Sequence, residues 1–185
     1  MNLPDKDILH QYLPPLWILQ KISVQYKLDP AGMHGLNHWG RVYENGITLG
    51  LKEGGDLQVI SLFSVFHDAC RVNQAVDPGH GSRGAVLAQE ILEPRQILSP
   101  MQFKLLLNAC RYHTDGKTKA NLTVQICWDS DRLDLYRAGI YPKSKHLCTP
   151  TAKDNSIIRW AVNRSSADHV SGFVNELWKP IFTSL

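Results

Sequence analysis

Apolar residues along the chain recur at intervals of three and four positions, which is the spacing of one face of an α-helix. A first helix is predicted to begin after Pro15 and to end at Asp29, just before a proline. A second helix is predicted over 36–52, with Gly54 closing it. The pattern therefore predicts a mainly helical N-terminal third.

The segment 56–70 is apolar nearly all round, which is typical of a helix buried at the centre of a bundle. Its last turn is predicted to carry two polar residues, His67 and Asp68. A loop is predicted over 71–79, because an Asp-Pro-Gly turn signal closes that stretch.

The second half of the chain keeps the helical spacing, and Ser99 before Pro100 is a start signal for one of its helices. The predicted helices cover 82–93, 100–113, 122–137, 150–162 and 165–178. No repeat or linker-like segment divides the 185 residues. We therefore expect one all-α domain over 1–185, built as a helical bundle.

Composition and charge restrict the class of protein. With 43% hydrophobic and 20% charged residues, the chain has the composition of an ordinary globular domain. Its net charge of +3 comes from residues scattered along the sequence, without a basic tract interleaved with aromatic residues. Nucleic-acid binding is therefore not indicated.

The cysteines and the N-terminus bear on the cellular location. Four cysteines lie far apart with no CxxC pair, which favours neither a disulfide framework nor a zinc knuckle. The first residues, MNLPDKDILHQYLPP, lack the basic start and apolar run of a signal peptide. No stretch is long enough to span a bilayer. We expect a cytoplasmic protein without a membrane partner.

The adjacent His67 and Asp68 stand out, because a charge on a buried helix is costly unless it is paired or bound to a metal. Taken alone, the dipeptide is common and could simply cap the end of a helix. Other residues of the same types change the interpretation. They lie on or beside other predicted helices: His38, His80, His113 and Asp131. Inward-facing histidines and carboxylates from separate helices build metal sites in bundles.

Three sequence elements occur in a defined order: HxxRV from His38, HD at His67-Asp68, and DxDRLD from Asp129. In this order the chain resembles the HD-domain superfamily of metal-dependent phosphohydrolases, over a core of about 33–141. The resemblance implies an HD-domain-type bundle, and the predicted helices of about 150–182, outside the matched core, are interpreted as packing elements. It also implies that His38, His67, Asp68 and Asp131 are metal ligands.

The element GHGSRGA at His80 and the sequence RYHTDG at His113 look like those of HD-domain enzymes that hold two metals. That resemblance implies a second ion on both histidines, with Asp68 bridging. His80 could instead be a surface residue or a substrate ligand. Imidazole and carboxylate ligands suit Mn, Co, Ni, Fe or Zn, with Mg possible, as one or two divalent ions.

A phosphorylated substrate also needs cationic partners. Arg71 and Arg83 are the candidates that we place in catalysis with Asp68. Further residues could contact substrate or orient ligands: His34, Arg41, Asp129 and Arg132. The alternatives are surface salt bridges for Arg41 and Arg132, a loop position for His34, and a solvent-facing acid for Asp129. Asp134 is interpreted as structural or solvated.

The predicted function is hydrolysis of a phosphate ester, with a nucleotide or another small phosphorylated metabolite as the substrate class. Two alternatives stay open. Some relatives with the same ligand series are diiron oxygenases, and a third possibility is a non-catalytic module that binds a nucleotide and regulates a partner.

Overall fold

The computed structural model of the protein describes residues 4–183, so that residues 1–3 and 184–185 of the predicted domain lie outside the described part. The α-helices in that range are α1 (Lys6–Gln11), α2 (Leu16–Ser23), α3 (Leu36–Glu53), α4 (Leu57–Phe66), α5 (His80–Leu92), α6 (Pro100–Tyr112), α7 (Leu122–Arg132), α8 (Pro150–Lys153), α9 (Asn155–Ser166) and α10 (Lys179–Thr183). Short 3-10 segments cover Glu93–Arg95, Leu135–Ala138 and Ser144–His146, and a π-helical turn covers Val174–Trp178. No strand occurs between residues 4 and 183, which confirms the predicted all-α class.

Helices α3 and α4 form the centre of the bundle. Helix α3 packs against α4 and α7, and α4 packs against α6 and α7 as well. Glycines in α3 allow the close approach, since a Cβ atom on Gly46 would lie 2.5 Å from Ile60 Cγ2 of α4. Only a short turn joins α3 to α4, so the two helices run antiparallel. The start of α3 therefore meets the end of α4, which brings His38 next to His67.

The predictions for α3 and α6 are confirmed at both ends to within one residue. Gly54 closes α3 in the left-handed conformation, with φ of 82°. At the start of α6, the Gln102 amide N–H donates to Ser99 Oγ, while the Ser99 amide N–H donates to Gln102 Oε1. This reciprocal capping explains why the start signal is reliable.

The first predicted helix is too long, and α1 is absent from the prediction. Helix α2 ends at Ser23 instead of continuing to Asp29. Beyond this end the ring of Tyr26 meets Trp39 edge-on, with ring centres 5.3 Å apart, and its hydroxyl donates to the His34 carbonyl. These contacts tie the chain to the start of α3, in place of a longer helix.

The central helix is shorter than the predicted 56–70. Helix α4 ends at Phe66, His67 is the residue that caps it, and Asp68 lies in the bend that follows. The loop predicted over 71–79 is confirmed, and α5 begins at its end, directly on His80.

The later helices differ in their bounds. The helix predicted over 122–137 ends at Arg132 and is followed by a separate 3-10 segment. Within the helix predicted over 150–162, Asp154 interrupts the backbone and caps α9 by accepting from the Ser156 amide N–H. Helix α9 then runs through the gap predicted after 162. None of the described helices combines the length and apolar character needed to cross a membrane.

Candidate metal centre

Two buried histidines meet where α3 begins and α4 ends. His38 Nδ1 lies 2.7 Å from Asp134 Oδ2, and His67 Nδ1 lies 3.1 Å from the carbonyl oxygens of Phe63 and Ser64. Because these partners only accept, each Nδ1 carries the ring proton and donates it. The opposite nitrogens, His38 Nε2 and His67 Nε2, then face each other at 3.1 Å as acceptors.

A second pair of buried histidines repeats this arrangement. His80 Nδ1 lies 2.7 Å from the Asp77 carbonyl oxygen, and His113 Nδ1 lies 2.7 Å from the Cys110 carbonyl oxygen. Their Nε2 atoms are 2.9 Å apart. The first turn of α5 and the end of α6 therefore present a second pair of facing acceptors.

The carboxylate of Asp68 lies between the two pairs. Its Oδ2 atom is 3.7 Å from His38 Nε2, and its Oδ1 atom is 3.1 Å from His80 Nε2 and 3.7 Å from His113 Nε2. Asp131 Oδ1 lies 3.5 Å from His38 Nε2 on the side of the first pair. The structure thus brings all six predicted ligands together. We call His38, His67 and Asp131 the first group and Asp68, His80 and His113 the second group, and Asp68 lies between the two.

The donor atoms fit a metal. Two facing lone pairs repel each other unless a cation lies between them, and each pair also has a carboxylate beside it. Ligand atoms of His38, His67 and Asp131 lie within 4.8 Å of one another, as do those of Asp68, His80 and His113. Imidazole nitrogens with carboxylate oxygens are a donor set for divalent transition metals.

The pKa shifts give the first group its ligating protonation states. Burial lowers the pKa of His67 to about 3, and burial together with the Arg137 charge lowers the pKa of His38. Burial acts in the opposite sense on Asp131, but Arg137 and the imidazoles outweigh it and lower its pKa to about 2. At neutral pH this group offers neutral imidazoles and an ionised carboxylate.

The second group differs in its affinity for protons. Burial opposes charge on His113, but the neighbouring carboxylates of Asp68 and Asp131 outweigh that effect and raise the pKa of His113. Burial by itself would raise the pKa of Asp68, yet His67 and the neighbouring imidazoles of His113, His34 and His80 hold it well below the usual value. Asp68 is therefore a carboxylate at neutral pH.

Asp134, the last residue of the DxDRLD element, has an orienting role that is not among the roles assigned from the sequence. Instead of being solvated, its carboxylate is buried, with Oδ2 on His38 Nδ1 and Oδ1 accepting from Arg41 Nε at 2.7 Å. Ser165 Oγ also donates to Oδ1. Asp134 lies three residues after Asp131, which places both on one side of the turn, and this spacing is the available signal. The carboxylate fixes the tautomer and orientation of His38.

Asp134→Asn should weaken metal binding by about 10- to 100-fold, the usual cost of losing such an orienting partner. His38 and Arg41 donate to different oxygens of Asp134, and in asparagine one of these positions becomes an NH2 group that cannot accept. The measurement is competitive titration with a metal-binding dye. Asp168→Asn is the matched control, because Asp168 is 72% exposed and its carboxylate accepts from Asn37 and the outer side of Arg41, neither of which is a proposed metal ligand. Equal affinity in the two variants would contradict the role of Asp134.

Arg71 and Arg83 occupy different positions. Arg71 Nη1 lies 3.2 Å from His80 Nε2 and 3.6 Å from Asp68 Oδ1, beside the second group. Arg83 Nη2 instead donates to both oxygens of Asp77, and its Nε donates to the Cys70 carbonyl. Its hydrogen bonds within the described range all go to 70–78, so Arg83 braces the loop before α5.

Of the other candidate residues, His34 lies beside the ligand groups, whereas Asp129 and Arg132 contact the segment before α8. His34 Nδ1 lies 2.8 Å from Asp68 Oδ2, at the edge of the first group. Asp129 is fully buried rather than solvent-facing, and its carboxylate accepts from the Cys148 and Thr149 amides. It anchors the chain before α8. Arg132 donates to the His146 carbonyl in that same segment, and it is buried instead of forming a surface salt bridge.

Arg41 does form salt bridges, but they are largely buried. Its Nε atom pairs with Asp134 and its Nη1 atom with Asp168 at 2.9 Å. The arginine is 3% exposed, so it stabilises the Asp134 carboxylate and is too buried to contact a substrate.

Arg137 lies at the first group and is absent from the sequence-based candidates. Its Nε donates to the Met33 carbonyl at 3.2 Å, and its Nη1 donates to the Asp134 carbonyl at 3.1 Å. Its Nη2 lies 3.7 Å from Asp131 Oδ1. The sequence carries no signal for this placement, because it depends on the turn that follows α7.

The glycines of GHGSRGA permit α5 to pack against the ends of α4 and α6. A Cβ atom on Gly84 would lie 2.3 Å from the Phe66 carbonyl oxygen. One on Gly81 would lie 2.4 Å from the Cys110 carbonyl oxygen and 2.9 Å from His113 Nδ1. The absence of side chains here therefore allows His80 and His113 to approach each other.

Gly81→Ala should lower the free energy of unfolding by about 1–3 kcal/mol and displace His113, because the added methyl group has no room. Urea unfolding would measure the first effect and metal content the second. In Gly172→Ala the new Cβ would meet nothing closer than Glu176 Oε1 at 3.6 Å, an ordinary contact, which makes it the control. A Gly81 variant with normal stability and metal content would refute the packing argument.

Comparison with protein-family models found no match, and comparison with curated proteins found none either. Among solved structures, the protein is similar to the crystal structure of a predicted HD superfamily hydrolase from an uncultured Thermotogales bacterium. The two chains are 26% identical, the likeness covers 97% of this chain and 98% of that chain, and the TM-score is 0.63. This likeness over nearly the whole length confirms the resemblance read from the sequence elements, and the chain has the fold of the HD-domain superfamily.

Proposed function

We propose that the protein is a metal-dependent phosphohydrolase that cleaves a phosphate ester of a nucleotide or small phosphorylated metabolite. The observation that carries the proposal is the pairing of four imidazole Nε2 atoms around Asp68, at 3.1 Å in one pair and 2.9 Å in the other. Because each Nδ1 atom donates its proton to an acceptor, the lone pairs of the Nε2 atoms are available to bind a metal ion. The similarity to a predicted hydrolase supports the same reaction class.

A bound divalent ion would supply a nucleophile by lowering the pKa of a water molecule to about 7, and would polarise a phosphoryl oxygen. We assign His38, His67, Asp68 and Asp131 to a first ion and Asp68, His80 and His113 to a second. Mn, Co, Ni, Fe and Zn are the candidate metals, with Mg also compatible with the carboxylates.

The residues around the ligands hold them in place. Asp134 fixes His38, backbone carbonyls fix the other three rings, and His34 donates to Asp68 Oδ2. Such fixed ligands need little reorganisation during the reaction. Arg71, beside Asp68 and His80, is placed to bind a phosphoryl oxygen through Nη1.

The test is metal analysis of the purified protein, followed by a screen for phosphate release across nucleotides with Mn, Co, Ni or Mg added. Release that disappears with a chelator and returns with metal is the expected result. Absence of release with every metal and substrate would count against the proposal.

A diiron oxygenase is the second candidate, because six ligands in two groups sharing one carboxylate would serve it equally well. It predicts tightly bound iron and oxygen uptake without phosphate release. Metal retention with neither activity would instead favour the non-catalytic nucleotide-binding module.

A further inference from the structure

Two arginines flank the ligand groups in the same manner. Arg71 donates through Nε to the Asn73 carbonyl and through Nη2 to the Ala75 carbonyl. The remaining nitrogen, Nη1, lies 3.2 Å from His80 Nε2, within hydrogen-bonding distance, and 3.6 Å from Asp68 Oδ1. Arg137 has two of its nitrogens, Nε and Nη1, on the carbonyls of Met33 and Asp134. Its third nitrogen, Nη2, lies beside Asp131 and makes no hydrogen bond within residues 4–183.

In both arginines two nitrogens are anchored by the backbone, and the third is held at a metal-ligand carboxylate. Arg71 Nη1 is 3.6 Å from Asp68 Oδ1, and Arg137 Nη2 is 3.7 Å from Asp131 Oδ1. Both side chains are 8% exposed. Anchoring in this way removes most of the entropy cost of fixing a long side chain on a ligand. One prearranged guanidinium donor therefore lies at each ligand group.

The charges around the ligands indicate what this pair would bind. The two ligand carboxylates, Asp68 and Asp131, cancel the two guanidiniums, while Asp134 is already paired with Arg41. Each divalent ion would then add two positive charges, which no further unpaired carboxylate among the described residues at the ligand groups offsets. A group with two negative charges compensates this excess better than a group with one, and its three terminal oxygens can accept from both arginines.

We propose that Arg137 is a substrate-binding residue that acts with Arg71 as a clamp selecting a terminal, doubly charged phosphoryl group over a phosphodiester. This inference rests on the proposed phosphohydrolase function and narrows its substrate class. Arg137 contacts the phosphoryl group from the side of Asp131, opposite to the contact made by Arg71.

The test uses metal-loaded protein and inorganic phosphate as the probe, with binding measured by calorimetry. Arg137→Gln should weaken phosphate binding by about 10- to 100-fold, since it removes one charge-assisted hydrogen bond. Its metal content should stay at the wild-type value. Arg137→Lys should recover part of the affinity, because the charge remains but the fixed fork is lost. Arg159→Gln, an exposed arginine on α9, is the control.

Hydrolysis of p-nitrophenyl phosphate and bis(p-nitrophenyl) phosphate gives a second readout. We expect Arg137→Gln to raise KM for the monoester and leave the diester nearly unchanged, which lowers the preference between them. Unchanged phosphate affinity, or a loss of metal in Arg137→Gln, would overturn the role of Arg137 while leaving the proposed function intact. A wild-type protein that neither binds nor releases phosphate would overturn the proposed function itself.

Discussion

Asp68→Ala should remove metal from both ligand groups and reduce phosphate release by at least about a thousandfold. A metal ion contributes several kcal/mol of transition-state stabilisation, and each 1.36 kcal/mol corresponds to about a factor of ten in rate. Asp68 is the one ligand that reaches both groups, with Oδ2 toward His38 and Oδ1 toward His80. Loss of this side chain therefore affects both ions, and elemental analysis with a phosphate-release assay would measure the two effects.

The matched control for Asp68 is Asp115→Ala. Asp115 is an exposed carboxylate two residues beyond His113, and within residues 4–183 its side chain pairs only with the exposed Lys117. Circular dichroism and thermal unfolding would show whether either variant still folds. A folded Asp68→Ala protein that keeps its metal and activity would rule out the assigned site.

Much of the fold follows from local signals in the sequence. Helix α6 begins where Ser99 and Pro100 predict it, because capping and a preset proline φ are properties of a few neighbouring residues. Gly54 likewise closes α3. The segment after Arg132 shows where local signals fail. Leu133 and Leu135 continue the apolar pattern, yet the backbone leaves the helix there.

Tertiary contacts account for that difference. The carboxylate of Asp134, between the two leucines, is bound to His38, Arg41 and Ser165, which lie in α3 and α9. These partners are distant in sequence, so the hydrophobic periodicity around Asp134 cannot predict them. The same reason hides Arg137, whose Nε partner is the carbonyl of Met33.

In the candidate site, too, some features are predictable from the sequence and others are not. The order of the His, HD and Asp elements predicts which residues meet, because the resemblance to a known superfamily includes its three-dimensional arrangement. It does not predict which cations lie nearby. Arg83 follows His80 by three residues yet pairs with Asp77, whereas Arg137 reaches Asp131 from a turn with no recognised motif.

If the proposed site binds two ions, His113→Ala should leave one equivalent of metal where we expect the wild-type protein to hold two. The first group lacks any contribution from His113, since its ligand atoms belong to His38, His67 and Asp131. The second group depends on His113, whose Nε2 lies 2.9 Å from His80 Nε2 and 3.7 Å from Asp68 Oδ1. Loss of one ion from a two-ion site should slow phosphate release by about a hundredfold or more.

His146→Ala provides the control, because His146 is an exposed histidine in a 3-10 segment outside both ligand groups. It should retain both equivalents of metal and the wild-type rate. If His113→Ala also kept its metal content and rate while remaining folded, His113 would be a packing residue. The protein would then act through a single ion on His38, His67, Asp68 and Asp131. A loss of both ions would mean instead that the first group cannot hold metal alone, and that the two groups bind as one unit through Asp68.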